Sequence, residues 1–466
     1  MAIASSLTLI LIVAFAARVS FACDQERKIP REALVVVPFA QETGNIAYAL
    51  ATGNGFSSPF RNNTGPTAWL APVYPVLLAG VFRVFGPLSI PALNAAVFLN
   101  IVFSTLTCVP VFYIGRRVGG LLVGAVAAWF WALLPAAVML PFEWIWDTSL
   151  SALLATLLLW TTFCVAESSQ WRDWCLYGLL WGFSLLTNVA LGSLFLPWLL
   201  WAAYRATCGP ARQRALARQT PAFGGSSGGN GDGTIGRPGA KLHRFRRWKL
   251  AAAAATVAVL CCAPWTVRNY VRFHRLIPVR SNFSFELWSG NNNIFDPHTG
   301  NAMARITLYG EVRQYTQLGE TAYMLDKWRK ATLFIRTHPA LELKLLLARL
   351  IATWLGTQHP IDDFVRADSW LARVVFLVNA LLLVGTLAGI ILLYLRRNPL
   401  AFPLAAAPVV FPVVYYITHT SLRYRHPLDP ILVLLTALSA TAVFTRNANV
   451  APSEDSDTNG GHAALQ

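Results

Sequence analysis

Residues 121–140 read LLVGAVAAWFWALLPAAVML, an apolar stretch without a charged side chain. A helix of about 20 apolar residues is long enough to cross the hydrocarbon core of a bilayer. Within lipid such a segment has to be helical, because only helices and closed barrels satisfy every backbone hydrogen-bonding group there. The stretch therefore predicts a membrane-spanning helix and indicates which fold class to expect for the rest of the chain.

The same apolar pattern recurs along most of the sequence. Of the 466 residues, 55% are hydrophobic and 13% are charged, which is about half the charge of a soluble domain. We therefore predict an all-α polytopic membrane protein with about ten transmembrane helices. The other apolar runs cover residues 3–21, 92–114, 150–165, 189–204, 250–267, 372–394, 401–417 and 431–444, with a shorter one at 175–186.

The first apolar run has two interpretations. Ser20-Phe21-Ala22 before Cys23 is compatible with a cleaved signal peptide of residues 1–22. No positive charge precedes the run, however, and Arg18 interrupts it before the cleavage position. We favour an uncleaved first helix.

Basic residues predict how the spans are oriented. The net charge is +16, and in membrane proteins Lys and Arg concentrate in cytoplasmic loops. Arg116-Arg117, the loop of residues 205–249 and Arg396-Arg397 are the stretches that we place inside, with both termini. The Gly- and Ser-rich centre of the middle loop is typical of a flexible spacer. The charge thus has a topological explanation, and we expect no nucleic-acid partner.

This orientation divides the chain into membrane regions, outer loops and cytoplasmic segments. Residues 1–204 form an N-terminal membrane region with a large first extracytoplasmic loop at 23–91 and a short acidic outer turn at 141–148. Residues 205–249 form a basic cytoplasmic loop. Residues 250–446 form a C-terminal membrane region with a second long outer loop at 265–370, and residues 447–466 form a disordered cytoplasmic tail.

Two segments of the outer loops are apolar but unsuited to crossing the bilayer. Residues 74–85 are too few to span and contain Arg83, and residues 334–354 are amphipathic. We predict that both form helices lying in the membrane interface.

Acidic residues near the outer ends of the spans are functional candidates, because ionisable groups at a membrane are costly. Glu42 lies in the polar stretch 41–45 and is either a solvated carboxylate or a functional one. Glu143 and Asp147 are four residues apart, on one face if the turn is helical. Such a pair is suited to a divalent cation or a sugar hydroxyl, whereas the alternative is that the two residues cap the turn.

Arginines on the same side predict an anion site. Arg423 and Arg425 lie in a short stretch before the last span, where positive charge is unusual. The planar guanidinium fork suits phosphate, so we predict a phosphate-bearing lipid as partner, with headgroup anchoring as the alternative. Arg268, between Trp265 and Tyr270, is either a third phosphate ligand or an interfacial anchor.

Several familiar functions lack support in the sequence. It contains no Walker A loop or HExxH motif, and the GxGxxG pattern at 231–236 (GDGTIG) lies in the Gly-rich spacer and not after a predicted strand. The letters GxSxG occur in the Gly- and Ser-rich spacer (GGSSGG, 224–229), which lacks the preceding apolar strand of a hydrolase elbow. No repeat of fixed period is apparent, which disfavours an inverted-repeat transporter.

Short motifs in a characteristic order run from about residue 5 to residue 445. They are Glu42 with IA at 46–47, GNGF at 53–56, TAWLAPVYP at 67–75, FG at 85–86, GRR at 115–117, WDTSL at 146–150, LTN at 186–188, PWTVRNY at 264–270 and RYRHP at 423–427. This order resembles the GT-C superfamily of integral-membrane glycosyltransferases, near the protein O-mannosyltransferases and the aminoarabinose transferases that modify lipid A. One departure is that many relatives carry an Asp or an adjacent acidic pair in the first loop, where this chain has Gln41-Glu42.

The resemblance implies a GT-C fold and an inverting glycosyltransferase. Its donor would be a sugar on a polyprenyl-phosphate carrier, and its acceptor a protein, a lipid or a glycan. We expect the protein among membrane lipids, in the bacterial inner membrane, with its active site on the extracytoplasmic side. The resemblance assigns no certain cofactor, and a divalent cation is the one considered.

The resemblance also suggests roles for individual residues. Glu42 would be the general base, and Arg268, Arg423 and Arg425 would stabilise the leaving phosphate. Tyr74 and Trp69 belong to the predicted lipid-binding set.

Two alternative functions remain open at this point. One is a lipid or glycan transporter (a flippase). The other is a glycan polymerase or ligase with a lipid-diphosphate donor, which the histidines of the second outer loop keep open, namely His274, His298, His338 and His359.

Overall fold

The computed structural model describes residues 6–30, 39, 41–60, 63–205, 238–292, 310–356 and 370–448. Within these ranges the regular structure is helical, and no strand forms beyond an isolated bridge between Ser57 and Pro66. The predicted all-α class is confirmed. The centre of the predicted cytoplasmic loop (206–237), the tail from residue 449, His298 and His359 lie outside the described residues.

The N-terminal half of the chain contains a series of helices up to residue 205. They are α1 (Leu7–Lys28), α2 (Glu42–Ala51), α3 (Val73–Phe85), α4 (Ile90–Leu106), α5 (Cys108–Gly119), α6 (Leu121–Leu133), α7 (Pro135–Glu143), α8 (Thr148–Glu167), α9 (Trp171–Thr187) and α10 (Val189–Arg205), which begins as a 3₁₀ turn.

The C-terminal half adds both long and short helices. They are α11 (Pro238–Phe273), α12 (Phe283–Gly290), α13 (Gly310–Leu318), α14 (Glu320–Thr337), α15 (Pro339–Leu355), α16 (Trp370–Leu395), α17 (Ala401–Val410), α18 (Val413–Ile417), α19 (Leu422–Arg425) and α20 (Asp429–Ala448).

Six helical stretches of the described residues are long and apolar enough to cross a membrane, and a bent pair of helices would make a seventh. The polytopic membrane architecture is therefore confirmed, while the count of about ten spans stays a prediction. Three further apolar helices are shorter, α3, α10 and the stretch Ala401–Ile417. The six are Leu7–Lys28, Ile90–Gly119, Thr148–Glu167, Arg246–Phe273, Arg373–Leu395 and Leu422–Val443.

The stretch 121–140 forms two helices rather than one. α6 and α7 meet at an angle of 42°. Leu134 between them is extended, at φ −60° and ψ 123°, because the residue before a proline is disfavoured in the helical conformation. Pro135 thus bends what the composition predicts as a straight span.

Tight helix packing forms the core between the membrane helices. α1 packs on α4 and α6, α9 on α11, and α20 on α6 and α16. Gly178 allows α9 to approach α11 closely, since a Cβ there would lie 2.4 Å from the carbonyl oxygen of Ala254. The buried Arg18 donates to Ser104 Oγ at 2.9 Å and to the carbonyl of Ala132 at 2.9 Å, so this charge in α1 is satisfied by other helices.

The two predicted outer loops pack against each other and form one helical unit, which we call the loop subdomain (the described residues of 42–71 and 274–355). Trp69 of the first loop contacts Phe285, Tyr315 and Tyr323 of the second. Glu320, which is buried, accepts hydrogen bonds from the Thr67 hydroxyl (2.5 Å), the Ala68 amide (2.8 Å), the Ser281 hydroxyl (2.6 Å) and the Tyr315 hydroxyl (2.7 Å). An aromatic cluster and one carboxylate that accepts four hydrogen bonds therefore join segments about 250 residues apart.

The amphipathic segment 334–354 is divided between two helices. α14 ends at Thr337 and α15 begins at Pro339, with His338 between them in a non-helical conformation. Proline favours the first position of a helix and keeps the preceding residue out of it. The interfacial location of this segment and of α3 stays a prediction.

Candidate active site

A cavity of about 430 Å³ lies where the loop subdomain meets the membrane helices. Its volume is typical of a site for a small-molecule ligand. Its walls come from the turn after α7, the starts of α8 and α10, the segment leading into α12, and the chain from α18 to α19. The polar side chains in its lining are Asp147, Thr148, Asn188, Ser193, Arg280, Glu286, Thr418, His419, Arg423 and Tyr424.

Arg423 is the predicted arginine that the structure brings to the cavity. The short stretch before the last span is helical, with Ser421 capping α19 and a 3₁₀ turn leading into α20. The Arg423 guanidinium lies 4.0 Å from the ring centroid of Trp144 and 4.9 Å from that of Trp146, which is cation–π geometry. Its Nη2 donates to the Tyr424 hydroxyl at 2.9 Å. Its Nη1 is buried and has no hydrogen-bond partner among the described residues.

Arg425 lies elsewhere, because residues two apart in a helical stretch point in different directions. Its Nε donates to Asp429 Oδ1 at 2.8 Å, one Nη to the carbonyl of Trp354 at 2.8 Å, and the other to Asn379 Oδ1 at 2.5 Å. The side chain is buried in these contacts. The structure thus uses Arg425 to join α15, α16 and α20, and the second cation of the cavity is Arg280, which the sequence did not indicate.

Arg268, Tyr74 and Trp69 also lie outside the cavity lining. Arg268 donates to the backbone carbonyls of Thr67 (2.6 Å) and Phe56 (2.7 Å), so it holds the first loop against α11. The Tyr74 hydroxyl donates to an asparagine of α4, and the Trp69 ring belongs to the aromatic cluster of the loop subdomain. In this structure these predicted ligands support the fold around the cavity.

Glu143 and Asp147 do not share a helix face. α7 ends at Glu143, which is exposed. Asp147 occupies the N-cap position of α8, without a capping hydrogen bond from its side chain, after an extended residue at Trp144. Asp147 lines the cavity and accepts a hydrogen bond from Ser151 Oγ at 2.9 Å. Burial raises the pKa of Asp147, against the lowering effects of Ser151 and the cavity arginines. The structure therefore brings one of the two carboxylates to the site.

Glu42 is the first residue of α2 and is 9% exposed. Burial raises its pKa, and the charge of Glu286 raises it further, whereas Arg423 and Arg280 lower it. Its place at a helix N-terminus also favours the negative form. Glu42 lies outside the cavity lining, unlike Asp147, and its link to the two arginines of the cavity wall is electrostatic.

Arg280, Glu286, His419 and Tyr424 are among the lining residues that had no role in the predictions. Glu286 Oε1 accepts from Asn282 Nδ2 at 2.7 Å and from Arg280 Nη2 at 3.2 Å. His419 Nε2 lies 2.9 Å from the Tyr424 hydroxyl. The sequence could have indicated His419 and Tyr424, because they are neighbours of Arg423. Arg280 and Glu286 were not, because nothing local distinguishes them in a loop of about a hundred residues.

Among the described residues, no group of three or more His, Cys, Asp or Glu side chains is arranged to hold a metal ion. The structure therefore assigns no ligand set to the divalent cation considered from the sequence.

Comparison with known proteins supports the resemblance found in the motifs. The profile of a family described as dolichyl-phosphate-mannose-protein mannosyltransferase matches residues 69–220. The fold is similar to that of the Archaeoglobus fulgidus oligosaccharyltransferase in its apo form, with 13% identity and a TM-score of 0.50 over 97% of this chain and 53% of the other. AglB of the same organism, in complex with an inhibitory peptide and a dolichol-phosphate, gives 12% identity and a TM-score of 0.47, with coverages of 97% and 52%. No curated protein sequence matches the chain significantly.

The chain thus spans about half the length of the solved structures that it resembles. The predicted resemblance to GT-C glycosyltransferases and the predicted GT-C fold are both confirmed.

Proposed function

We propose that this protein is an inverting membrane glycosyltransferase, which moves a sugar from a polyprenyl-phosphate carrier to an acceptor hydroxyl on the extracytoplasmic face. The observation that carries the proposal is the cavity itself, whose wall holds Arg280, Arg423 and the half-buried Asp147. The buried Glu42 lies outside the lining, and the charges of both arginines act on it. The family match and the GT-C fold support the same reaction class.

Glu42 acts as the general base. As the acceptor oxygen attacks the anomeric carbon, its proton passes to the Glu42 carboxylate. The bond between the anomeric carbon and the phosphate oxygen breaks on the opposite face, which releases polyprenyl phosphate and inverts the configuration. Such a displacement needs one base and no carboxylate nucleophile, so the departure from an acidic pair at Gln41-Glu42 is compatible with it.

The arginines bind the leaving group. Negative charge grows on the phosphate as the bond breaks, and fixed donors in a partly dry site stabilise it strongly. Arg423 presents a buried Nη1 without a hydrogen-bond partner among the described residues, and the aromatic rings of Trp144 and Trp146 hold its plane. Arg280 supplies a second positive charge in the same wall. The apolar lining residues Val189 and Val414 then face the first units of the prenyl chain.

The test is transfer from defined polyprenyl-phosphate sugars by the purified full chain in lipid nanodiscs. Wild type is compared with Glu42→Gln, and Glu167→Gln is the matched control, because Glu167 has a 73% exposed carboxylate and lies outside the cavity lining. We expect transfer by the wild type and the control and a large loss in Glu42→Gln. Full activity of Glu42→Gln would reject the base assignment.

The same preparation separates the alternatives. Transfer from polyprenyl diphosphates alone would favour the polymerase or ligase reaction, and lipid movement across vesicles without any transfer would favour a flippase. For sidedness, cysteines introduced at Asn63, which is exposed, and at Ser227 of the predicted cytoplasmic loop should label from opposite sides. Labelling of both from one side would reject the topology.

A further inference from the structure

Two buried polar atoms of cavity-lining side chains form no hydrogen bond with the described residues, although His419 Nδ1 lies 3.4 Å from one of them. One is an acceptor, Oε2 of Glu286, and the other is a donor, Nη1 of Arg423. Both side chains line the cavity. An unmet buried polar group is costly, so two of them with opposite character in one wall indicate a ligand that supplies one donor and one acceptor.

A chain of contacts links these two side chains. Arg423 Nη2 donates to the Tyr424 oxygen at 2.9 Å, and the Tyr424 hydroxyl lies 2.9 Å from His419 Nε2. His419 Nδ1 lies 3.4 Å from Glu286 Oε2. Because a guanidinium only donates, Tyr424 gives its own proton to His419 Nε2, which leaves the imidazole proton on Nδ1. Nδ1 then donates to the backbone carbonyl oxygen of Glu286 at 3.4 Å, beside the carboxylate of the same residue.

The backbone around this chain is held rigidly. A Cβ on Gly290, at the end of α12, would lie 1.8 Å from the carbonyl oxygen of Thr418. Asn291 Nδ2 donates to the carbonyl of Ile417 at 2.9 Å, and Arg349 donates to the carbonyls of both Gly290 and Tyr416. The element that carries Glu286 is therefore fixed to the segment that carries His419.

We propose that Glu286 binds a hydroxyl of the transferred sugar, and that His419 and Tyr424 hold this carboxylate at a set distance from Arg423, which binds the phosphate. The inference rests on the proposed function and deepens it. A sugar phosphate offers both required groups, a hydroxyl that donates and a phosphate oxygen that accepts. A carrier phosphate without its sugar offers no hydroxyl to Glu286. This residue therefore distinguishes the polyprenyl-phosphate sugar from the polyprenyl phosphate that remains after transfer.

The Gln variant of Glu286 is an informative probe because neighbouring donors fix the orientation of its side-chain amide. Oε1 of Glu286 is held by donors from Asn282 and Arg280. The amide oxygen of Gln has to take this place, which turns its NH₂ towards the cavity. A donor then stands where the sugar hydroxyl needs an acceptor.

The experiment measures equilibrium binding of farnesyl phosphate and of farnesyl-phosphate sugars to the full chain in nanodiscs. We expect Glu286→Gln to weaken binding of the sugar-bearing ligand about tenfold and to leave farnesyl phosphate unchanged. Arg423→Lys should weaken binding of both ligands, and Glu167→Gln neither. In a series of monodeoxy sugars, one deoxy ligand should bind equally to wild type and Glu286→Gln, which identifies the hydroxyl.

His419 is tested as a positioning residue by two substitutions. His419→Asn keeps an N–H donor near the Nδ1 position and should retain the preference for the sugar-bearing ligand. His419→Phe removes both contacts and should lose that preference about as Glu286→Gln does. Equal losses in the two variants would overturn the positioning role.

The outcomes separate this inference from the function on which it rests. If Glu286→Gln binds both ligands as the wild type does, or loses both equally, the sugar-binding role is wrong even though transfer persists. If the wild type transfers from no polyprenyl-phosphate sugar, the proposed function itself fails.

Discussion

Replacement of Glu42 by Gln tests the mechanism most directly. Glutamine keeps nearly the same size, so donor and acceptor should still bind and KM should change little. Without a base, kcat should fall by about 10²–10⁴, the contribution typical of general base catalysis. That loss corresponds to about 3–5 kcal/mol in the activation free energy.

The pH dependence of the same reaction provides a second readout. A general base works only when deprotonated, so kcat/KM should fall as the pH drops through the pKa of Glu42. Burial and Glu286 raise this pKa, and Arg423 and Arg280 lower it. The fall in kcat/KM at low pH, which we call the acid limb, should therefore occur at a higher pH than the pKa range of an ordinary glutamate. A phosphodiester donor does not titrate in this range, so the limb reports on the protein.

Two cavity substitutions should move the limb in opposite directions. Glu286→Gln removes a negative charge that raises the pKa of Glu42, so the limb should shift to lower pH. Arg280→Met removes a positive charge that lowers this pKa, so the limb should shift to higher pH. Opposite shifts are difficult to explain by general damage to the site.

The assay is transfer of radiolabelled sugar across a pH series, with kcat/KM fitted for each variant and Glu167→Gln as the control. Glu42→Gln should show a low rate without the acid limb. A Gln variant with the wild-type rate, or one that retains the limb, would refute the assignment of Glu42 as the base.

Three further substitutions test the framework around the site. Arg425→Met breaks a buried pair with Asp429 and should lower the free energy of unfolding by about 3–5 kcal/mol, measured by thermal unfolding in detergent; unchanged stability would contradict the structural role. Gly290→Ala should destabilise the protein by about 1–3 kcal/mol and reduce transfer, whereas Gly80→Ala, whose Cβ would meet no atom within 4 Å, should not lower stability. Glu320→Gln leaves a donor unmet and should cost about 1–3 kcal/mol; limited proteolysis should then cut the loop subdomain faster, and an unchanged rate would contradict its role.

The membrane helices were largely predictable, because a spanning helix satisfies its own backbone and is identified by the length of its apolar run. The breaks were less so. Pro135 and Pro339 were visible in the sequence, yet hydropathy alone predicts continuous segments at 121–140 and 334–354. The structure ends a helix before each proline, as the conformational restriction on the preceding residue requires.

The candidate site was only partly predictable. Glu42, Asp147 and Arg423 were singled out as charges at the outer ends of spans. The structure places Asp147 and Arg423 in the cavity lining, and Glu42 lies outside the lining but under the influence of its charges. Arg268 and Arg425 were predicted on the same grounds, as charges at the outer ends of spans. Whether an arginine is available to a ligand depends on which carbonyls and side chains already bind it, and those partners are remote in sequence.

The sequence by itself determined the all-helical membrane architecture and the residue types available for chemistry, since both follow from local composition. The tertiary structure alone decided which charges face the cavity. Arg268 donates a hydrogen bond to the carbonyl of Phe56, 212 residues away, and Arg425 donates one to Asn379, 46 residues away. Arg280 and Glu286 become site residues because the second loop packs on the first. Burial and hydrogen bonding between distant segments, which no local pattern encodes, separate a structural arginine from one that binds a ligand.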